Sequence, residues 1–179
     1  MRELSLHILD LMENATRAGA TVVYVGITEN VAQDTLEIVV EDNGPGLPAS
    51  SDAALDPFYT TKEGKKTGLG LSLFRAAAEQ AGGSMTVERA TLGGVAVRAV
   101  MQLRHVDRAP LGDLAETFRT LVLTHPEIDF CCHVRSDGGE TLVRVLDIIL
   151  ELGTDAADEF AVARIVTERV RAAIAPLRA

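Results

Sequence analysis

Residues 41–73, EDNGPGLPASSDAALDPFYTTKEGKKTGLGLSL, decide how the rest of the chain is understood. The run starts where a β-branched strand, LEIVV (36–40), ends, and it finishes inside a helix-forming segment, LGLSLFRAAAEQA (69–81). Between them the pattern dissolves into Gly, Pro, Ser, Asp and Lys, which is loop chemistry. A loop of that length inside a compact domain is uncommon and usually carries function. Asp42 stands at the strand end as a hydrogen-bond acceptor, and Gly44 and Gly46 permit tight turns behind it. An acceptor there suits an exocyclic amine such as that of adenine; an ordinary Asp-Asn-Gly turn is the bland alternative. DPFYTTKEGKK (56–66) holds Phe58 and Tyr59 and every lysine of the chain, Lys62, Lys65 and Lys66. So local a positive charge asks for an anionic partner, and phosphate is the obvious one. TGLGLSL (67–73) then opens a helix. Backbone N–H groups at a helix start attract anions, and Gly68 and Gly70 let a phosphate come close to the main chain. The run is neither a Walker loop, since GxxxxGK[ST] is absent, nor a Rossmann fingerprint, since it follows a loop and lacks the third glycine.

Working outward, residues 3–18 predict a helix. Leu4, Ile8, Leu11 and Ala15 form its apolar stripe, and Gly19 stands where a C-terminal cap belongs. His7, Asp10, Asn14 and Arg17 form a polar stripe about 90° away, where the rim of a cleft would be. Asp10 and Asn14, one turn apart, present oxygens of the type that suits Mg²⁺; a solvated helix face is the alternative. His7 reads as a rim histidine, one turn from Asp10. Segments 21–27 and 36–40 predict strands joined by a hairpin loop. SMTVERA (84–90) and GVAVRAVMQL (94–103) predict a second hairpin turning at Leu92-Gly93-Gly94. This first unit covers 1–103.

Residues 104–179 open with a connector, HVDRAP (105–110), and predict a helix near 112–124, a strand near 128–135, a helix near 140–152 and a last helix over 157–175. The stripe Leu142, Val145, Leu146 and Ile149 needs a packing partner, either the first unit or a second copy, which leaves room for a homodimer. Cys131 and Cys132 fall on the predicted strand and point to opposite faces, which is not a metal-ligand spacing.

Composition narrows the rest. The chain has 179 residues, 47% of them apolar and 24% charged, enough for a self-sufficient core. A net charge of −9 and 4% aromatics without Trp argue against a nucleic-acid binder. Two adjacent Cys cannot build a disulfide framework. Glu3 and Asp10 interrupt what would have to be the apolar part of a signal peptide, and no long apolar run follows. A soluble, cytoplasmic protein without membrane contact is expected.

Four boxes in one order carry a family resemblance. LDLMENATRAGAT (9–21) is similar to the N box of the GHKL ATPases, in its mismatch-repair form; EDNGPG (41–46) resembles the DxGxG box; DPFYTTK (56–62) resembles the F box of histidine kinases; and KTGLGLSL (66–73) resembles their second glycine box. The superfamily includes sensor histidine kinases, anti-sigma-factor serine kinases, type II topoisomerase ATPase domains and mismatch-repair ATPases. The resemblance implies an α/β fold, a Bergerat-type two-layer sandwich with helices packed on one face of a mixed, mostly antiparallel sheet over 1–103, and it leaves 104–179 as a small α/β C-terminal appendage of unassigned role. It implies ATP and Mg²⁺ as cofactors. Asn14 would be the metal ligand. Asp42 would bind the adenine amine, with Gly44 and Gly46 shaping the turn. Lys62, Lys65 and Lys66 would belong to a lid over the phosphates, and Thr67, Gly68, Leu69 and Gly70 would line the phosphate site. Asp10 and Glu13 are the candidate catalytic carboxylates. Hydrolytic members carry Glu four residues before the Asn, where this chain has the shorter Asp10. No phosphoacceptor-histidine hairpin precedes the N box, so a transferred phosphoryl group would go to a partner protein. The two expected functions are therefore a stand-alone protein kinase or split histidine kinase acting on a partner, and an ATP-gated adaptor within a regulated complex.

Overall fold

A computed structural model of the chain describes residues 3–46, 69–153 and 158–178. Helix α1 (Leu4–Arg17) carries the predicted apolar stripe inward, with Leu4, Ile8, Leu11, Met12 and Ala15 buried. Gly19 follows it with φ +87°, a left-handed conformation that favours glycine and ends the helix. Strands β1 (Val22–Asn30) and β2 (Thr35–Asp42) form an antiparallel hairpin. Helix α2 (Leu69–Gln80) leads into a second antiparallel hairpin, β3 (Ser84–Arg89) and β4 (Val95–Gln102). These elements fall where the hydrophobic periodicity puts them.

The later part of the chain adds helix α3 (Leu114–Thr124), strands β5 (Asp129–Ser136) and β6 (Gly139–Arg144), and helices α4 (Val145–Leu152) and α5 (Glu159–Ile174). Asp113 and Asp158 cap α3 and α5 by accepting from the backbone N–H three residues on, at 2.9 and 2.7 Å. Strand β5 pairs in parallel with β1, and β6 pairs antiparallel with β5. One mixed sheet results, in the order β3-β4-β2-β1-β5-β6, with a single parallel pairing. Residues beyond 104 thus continue the sheet of the first unit. One core joins them: Phe74 of α2, Ile38 of β2, Phe118 of α3, Phe130 of β5 and Val166 of α5 are all buried in it.

The expected helix over 140–152 needs correction. Its first half is strand β6, and only residues from Val145 onward are helical. Leu142 therefore leaves the predicted stripe; it is 56% exposed on a strand, while Val145 and Ile148 are buried. The turn Asp137-Gly138-Gly139 lets the chain double back on β5, and strand pairing outweighs an apolar spacing that a helix would also satisfy.

Strand alternation separates the sheet's two faces. Val23, Val25 and Ile27 of β1, Leu36, Ile38 and Val40 of β2, and Phe130, Cys132 and Val134 of β5 point into the core under the helices. Tyr24, Gly26, Val39, Cys131 and His133 point the other way, where they line a groove of about 730 Å³.

Candidate functional site

Asp42 ends β2 on the helix-covered side of the sheet and is only 9% exposed. Its Oδ1 accepts from the backbone N–H of Gly44 at 2.8 Å and of Val95 at 3.4 Å. Its Oδ2 takes no hydrogen bond from any described residue. One oxygen of this buried carboxylate thus holds the backbone, and the other is left able to accept a further donor. The turn of the β3–β4 hairpin closes over it. Gly94 donates its N–H to the Asp42 carbonyl at 3.0 Å, and a Cβ on Gly94 would lie 2.1 Å from Asp42 Oδ1. A Cβ on Gly44 would come within 2.9 Å of the same oxygen. Gly46 has φ +80° and faces the carbonyls of Gly93 and Gly94. Thr91 donates to Glu41 at 2.8 Å and fixes this turn to β2. Gly94 and Val95 touch Asp42, and the sequence reading treated them only as a hairpin turn. The Gly93-Gly94 pair was the available signal, but nothing local says that the second glycine must make room for a carboxylate 52 residues away.

The same turn is tied to the start of β1, just after α1. Asn43 Oδ1 accepts from the N–H groups of Thr21 and Val22 at 2.8 and 2.9 Å, and its Nδ2 donates to Thr21 Oγ1 at 2.9 Å. Ala20 lies 3.8 Å from where a Gly44 side chain would begin. Helix α1 thus runs as a wall from the Asp42 turn towards the start of α2. At that far end a Cβ on Gly70 would lie 3.4 Å from Asp10 Oδ2, so the Asp10 carboxylate sits beside the first turn of α2. The N–H groups of a helix's first turn have no partner within the helix, which makes this end electropositive. Burial, and then Glu13, raise the Asp10 carboxyl above the ordinary Asp range, while Arg17 opposes them.

Glu13 and Asn14 stand on the outer side of α1, and Arg17 holds both. It donates to Glu13 Oε2 at 2.8 Å and to Asn14 Oδ1 at 3.1 Å. His7 departs from the rim position expected of it. It is 1% exposed and stacks on Phe74 of α2, with ring centroids 5.2 Å apart and planes at 19°. Neither ring nitrogen has a partner, so it does not orient Asp10 by a hydrogen bond. Burial drives its pKa down to about 4, and it is neutral at pH 7. The stripe of four polar residues at helical spacing splits because the α1–α2 contact covers the helix at His7 and stops short of Asn14.

Lys62, Lys65, Lys66, Thr67 and Gly68 lie outside the described residues, as do Phe58 and Tyr59. Leu69 and Gly70 open α2. No cluster of three or more His, Cys, Asp or Glu suited to a metal occurs among the described residues. Mg²⁺ is commonly held by one or two protein oxygens together with substrate phosphates rather than by an all-protein cage. Asn14 and Asp10 offer oxygens of that kind, and the half-engaged Asp42 in its glycine-lined turn fits an adenine amine. No described helix is long and apolar enough to cross a membrane.

Residues 2–105 match the family model described as histidine kinase-, DNA gyrase B- and HSP90-like ATPase. Among curated proteins, the chain is 31% identical over 100 residues to the sensor protein KdpD of Escherichia coli, covering 52% of this chain and 11% of KdpD. It is 36% identical over 73 residues to the sensor protein CitS of Halalkalibacterium halodurans, covering 40% of this chain and 13% of CitS. With the signal transduction histidine-protein kinase AfsQ2 of Streptomyces coelicolor it shares 34% over 108 residues, 58% of this chain and 19% of AfsQ2. The chain thus spans between about a tenth and a fifth of the length of these relatives. Among solved structures, the ATP-binding domain of PrrB from Mycobacterium tuberculosis aligns with a TM-score of 0.42 and 26% identity, over 54% of this chain and 64% of that one. The matched span contains the Asp42 turn, the wall of α1 and the start of α2, and this chain belongs to the histidine kinase-, DNA gyrase B- and HSP90-like ATPase family, as a histidine kinase-like ATP-binding module.

Proposed function

We propose that this module binds Mg-ATP between α1, the end of β2 and the start of α2, and passes a phosphoryl group to a partner protein, as a stand-alone protein kinase or one half of a split histidine kinase. One observation carries the reading: the buried Asp42 carboxylate, with one oxygen held by the backbone and the other left for a donor. In this reading Asp42 accepts from the adenine amine, with Gly44, Gly46 and Gly94 giving the base room. Asn14 holds Mg²⁺, and Thr67, Gly68, Leu69 and Gly70 offer backbone N–H groups to the phosphates. Lys62, Lys65 and Lys66 supply positive charge from the lid, and Asp10 and Glu13 are the carboxylates nearest the chemistry. Bound Mg²⁺ would neutralise charge on the phosphate oxygens. Arg17 donates to Asn14 Oδ1, whose second lone pair is left for a metal. Relatives named as sensor proteins and a histidine-protein kinase support phosphoryl transfer over hydrolysis.

Thermal unfolding tests the binding step. A ligand that binds only the native state stabilises it by about 2.7 kcal/mol at one hundred times its Kd. Mg-ATP should raise the melting temperature of the wild type, Asp42→Asn should abolish the rise, and Asn14→Ala should reduce it. No rise at millimolar nucleotide removes the whole reading. Transfer is tested with labelled ATP and candidate partners, and binding without any labelled protein removes the kinase.

A second reading, an ATP-gated adaptor, is favoured by Asp10. Its side chain is one methylene shorter than the Glu of hydrolytic members and lies beside the start of α2, which suits nucleotide binding more than the strict geometry of a general base. Turnover well above background that is lost in Asp10→Asn would exclude the adaptor.

A further inference from the structure

The tip of the β3–β4 hairpin overhangs the sheet beside the candidate site. Pairing between β2 and β4 ends at Glu41 opposite Ala96, so residues 90–95 lie beyond the last rung that β2 supplies. The tip is closed on itself. Gly93 donates its N–H to the Ala90 carbonyl, and Ala90 donates to that of Gly94, both at 3.0 Å. It therefore shifts as one piece. Among the described residues, three hydrogen bonds tie it to the end of β2. The Gly94 N–H meets the Asp42 carbonyl at 3.0 Å, the Val95 N–H meets Asp42 Oδ1 at 3.4 Å, and the Thr91 hydroxyl donates to Glu41 Oε2 at 2.8 Å. The first two serve Asp42 on the helix-covered face. The third lies on the other face, where Glu41, Thr91 and Leu92 line the groove. Neighbouring carboxylates of one strand point to opposite faces, and the hairpin tip reaches both. The Thr91 bond is the shortest of the three and has an ionised acceptor, which strengthens it. The Val95 bond is the longest, near the limit for an N–H donor, so a small displacement of the tip breaks it.

We propose that Thr91 is a positioning residue for Asp42. Its hydroxyl, bonded to Glu41 on the bare face, holds the hairpin tip so that the Gly94 and Val95 N–H groups stay on Asp42, and it thereby sets how tightly Asp42 binds a nucleotide. The inference rests on the reading of Asp42 as the adenine acceptor. Without the Thr91 bond, the tip keeps only its two bonds to Asp42 itself. Movement of the tip then costs the Val95 bond first, and Asp42 Oδ1 is left with the Gly44 N–H at 2.8 Å. A carboxylate held by one donor turns more freely about its Cβ–Cγ bond. Its other oxygen loses a fixed direction, and ordering it becomes a cost of binding. The carbonyls of Gly93 and Gly94 also face Gly46, so the position of the tip sets the width of the turn. Thr91 touches no ligand in this arrangement and acts through the tip. The chemistry it needs is narrow: a hydroxyl donor at 91 and an oxygen acceptor at 41.

The test reads two quantities in the full chain: amide exchange of Gly94 and Val95 by NMR, and the dissociation constant for Mg-ATP by calorimetry. Thr91→Val keeps the shape of the side chain and removes the donor. It should speed exchange of both amides by at least about threefold, while the amides of Val25 and Ile38 at the sheet's centre exchange as in the wild type. It should raise the dissociation constant about three- to tenfold, the range expected for one lost hydrogen bond. Thr91→Ser should restore both quantities. Glu41→Ala should match Thr91→Val, and Glu41→Gln, which keeps an acceptor oxygen, should stay within about twofold of the wild type. The double variant T91V/E41A should be no weaker than either single variant, since all three lack the same bond. Wild-type exchange or wild-type affinity in Thr91→Val, no rescue by Thr91→Ser, or additive losses in the double variant each overturn the proposal. A wild type that binds no Mg-ATP overturns the nucleotide reading instead, and amide exchange then decides by itself whether Thr91 holds the tip on Asp42.

Discussion

The two faces of strand β1 make opposite use of neighbouring residues. Val23, Val25 and Ile27 are 0% exposed beneath the helices. Tyr24, Gly26 and Thr28, interleaved with them, look onto an open groove. On the covered face a side chain is judged by volume and by whether it needs a hydrogen bond. On the bare face it is judged by what it holds in place, as Tyr24 and His133 hold each other. The same backbone therefore carries a packed surface and an open one, and substitutions on the two should differ in kind as well as size.

The largest difference should come from Ile27→Ala. It deletes a fully buried side chain at the sheet's centre and should cost about 2–5 kcal/mol in denaturant unfolding. A cost under about 1 kcal/mol would mean that the helices do not seal this face. Next comes His7, the buried polar group of the covered face. Its pKa is about 4 in the folded state against 6.5 in the unfolded chain, so between these values the unfolded chain binds more protons. Stability is therefore full above pH 6.5 and falls as pH drops toward 4, by at most about 1.4 kcal/mol per pH unit and roughly 3 kcal/mol in all. His7→Phe keeps the stacking on Phe74 and removes the proton. Unfolding followed from pH 7 to 4 should show the wild type losing that much more than the variant, and parallel curves would refute a neutral buried His7.

Gly94→Ala strikes where the covered face meets the candidate site. Its Cβ would lie 2.1 Å from Asp42 Oδ1 and 2.6 Å from the Asp42 carbonyl oxygen. About 1–3 kcal/mol of stability should go, together with any melting shift given by Mg-ATP. Retention of that shift would detach Asp42 from nucleotide binding. The smallest effect belongs to the bare face. Tyr24→Phe removes one hydrogen bond to His133 from a partly wet network and should cost about 0.5–1.5 kcal/mol. A larger cost would show that the face is sealed by something besides water.

Much of this arrangement was legible in the residues. The helix of 4–17 follows from a 3.6-residue apolar period ending at glycine, and both N-terminal hairpins follow from β-branched runs broken by turn residues. The four boxes in order pointed to the family to which the chain belongs. The misreadings share a cause. Residues 140–144 have the apolar spacing of a helix, but a neighbouring strand with open hydrogen-bonding groups captured them. His7 looked like a rim residue because a helical wheel shows angles and not what packs against each angle. Gly94 looked like any turn glycine because the carboxylate it must clear arrives from another hairpin.

By itself, the sequence determined the local elements, the acidic balance, the position of every lysine and the order of the boxes. These depend on residues close together in the chain, where period, turn chemistry and composition act directly. Tertiary structure alone decided that β5 joins β1 in parallel and extends one sheet, that Asp42 is buried under the β3–β4 turn, that His7 is buried without a hydrogen-bond partner, and that no described element covers one face of the sheet. Each of those depends on register between segments far apart, and a shift of one residue in any of these strands would exchange the covered face for the bare one.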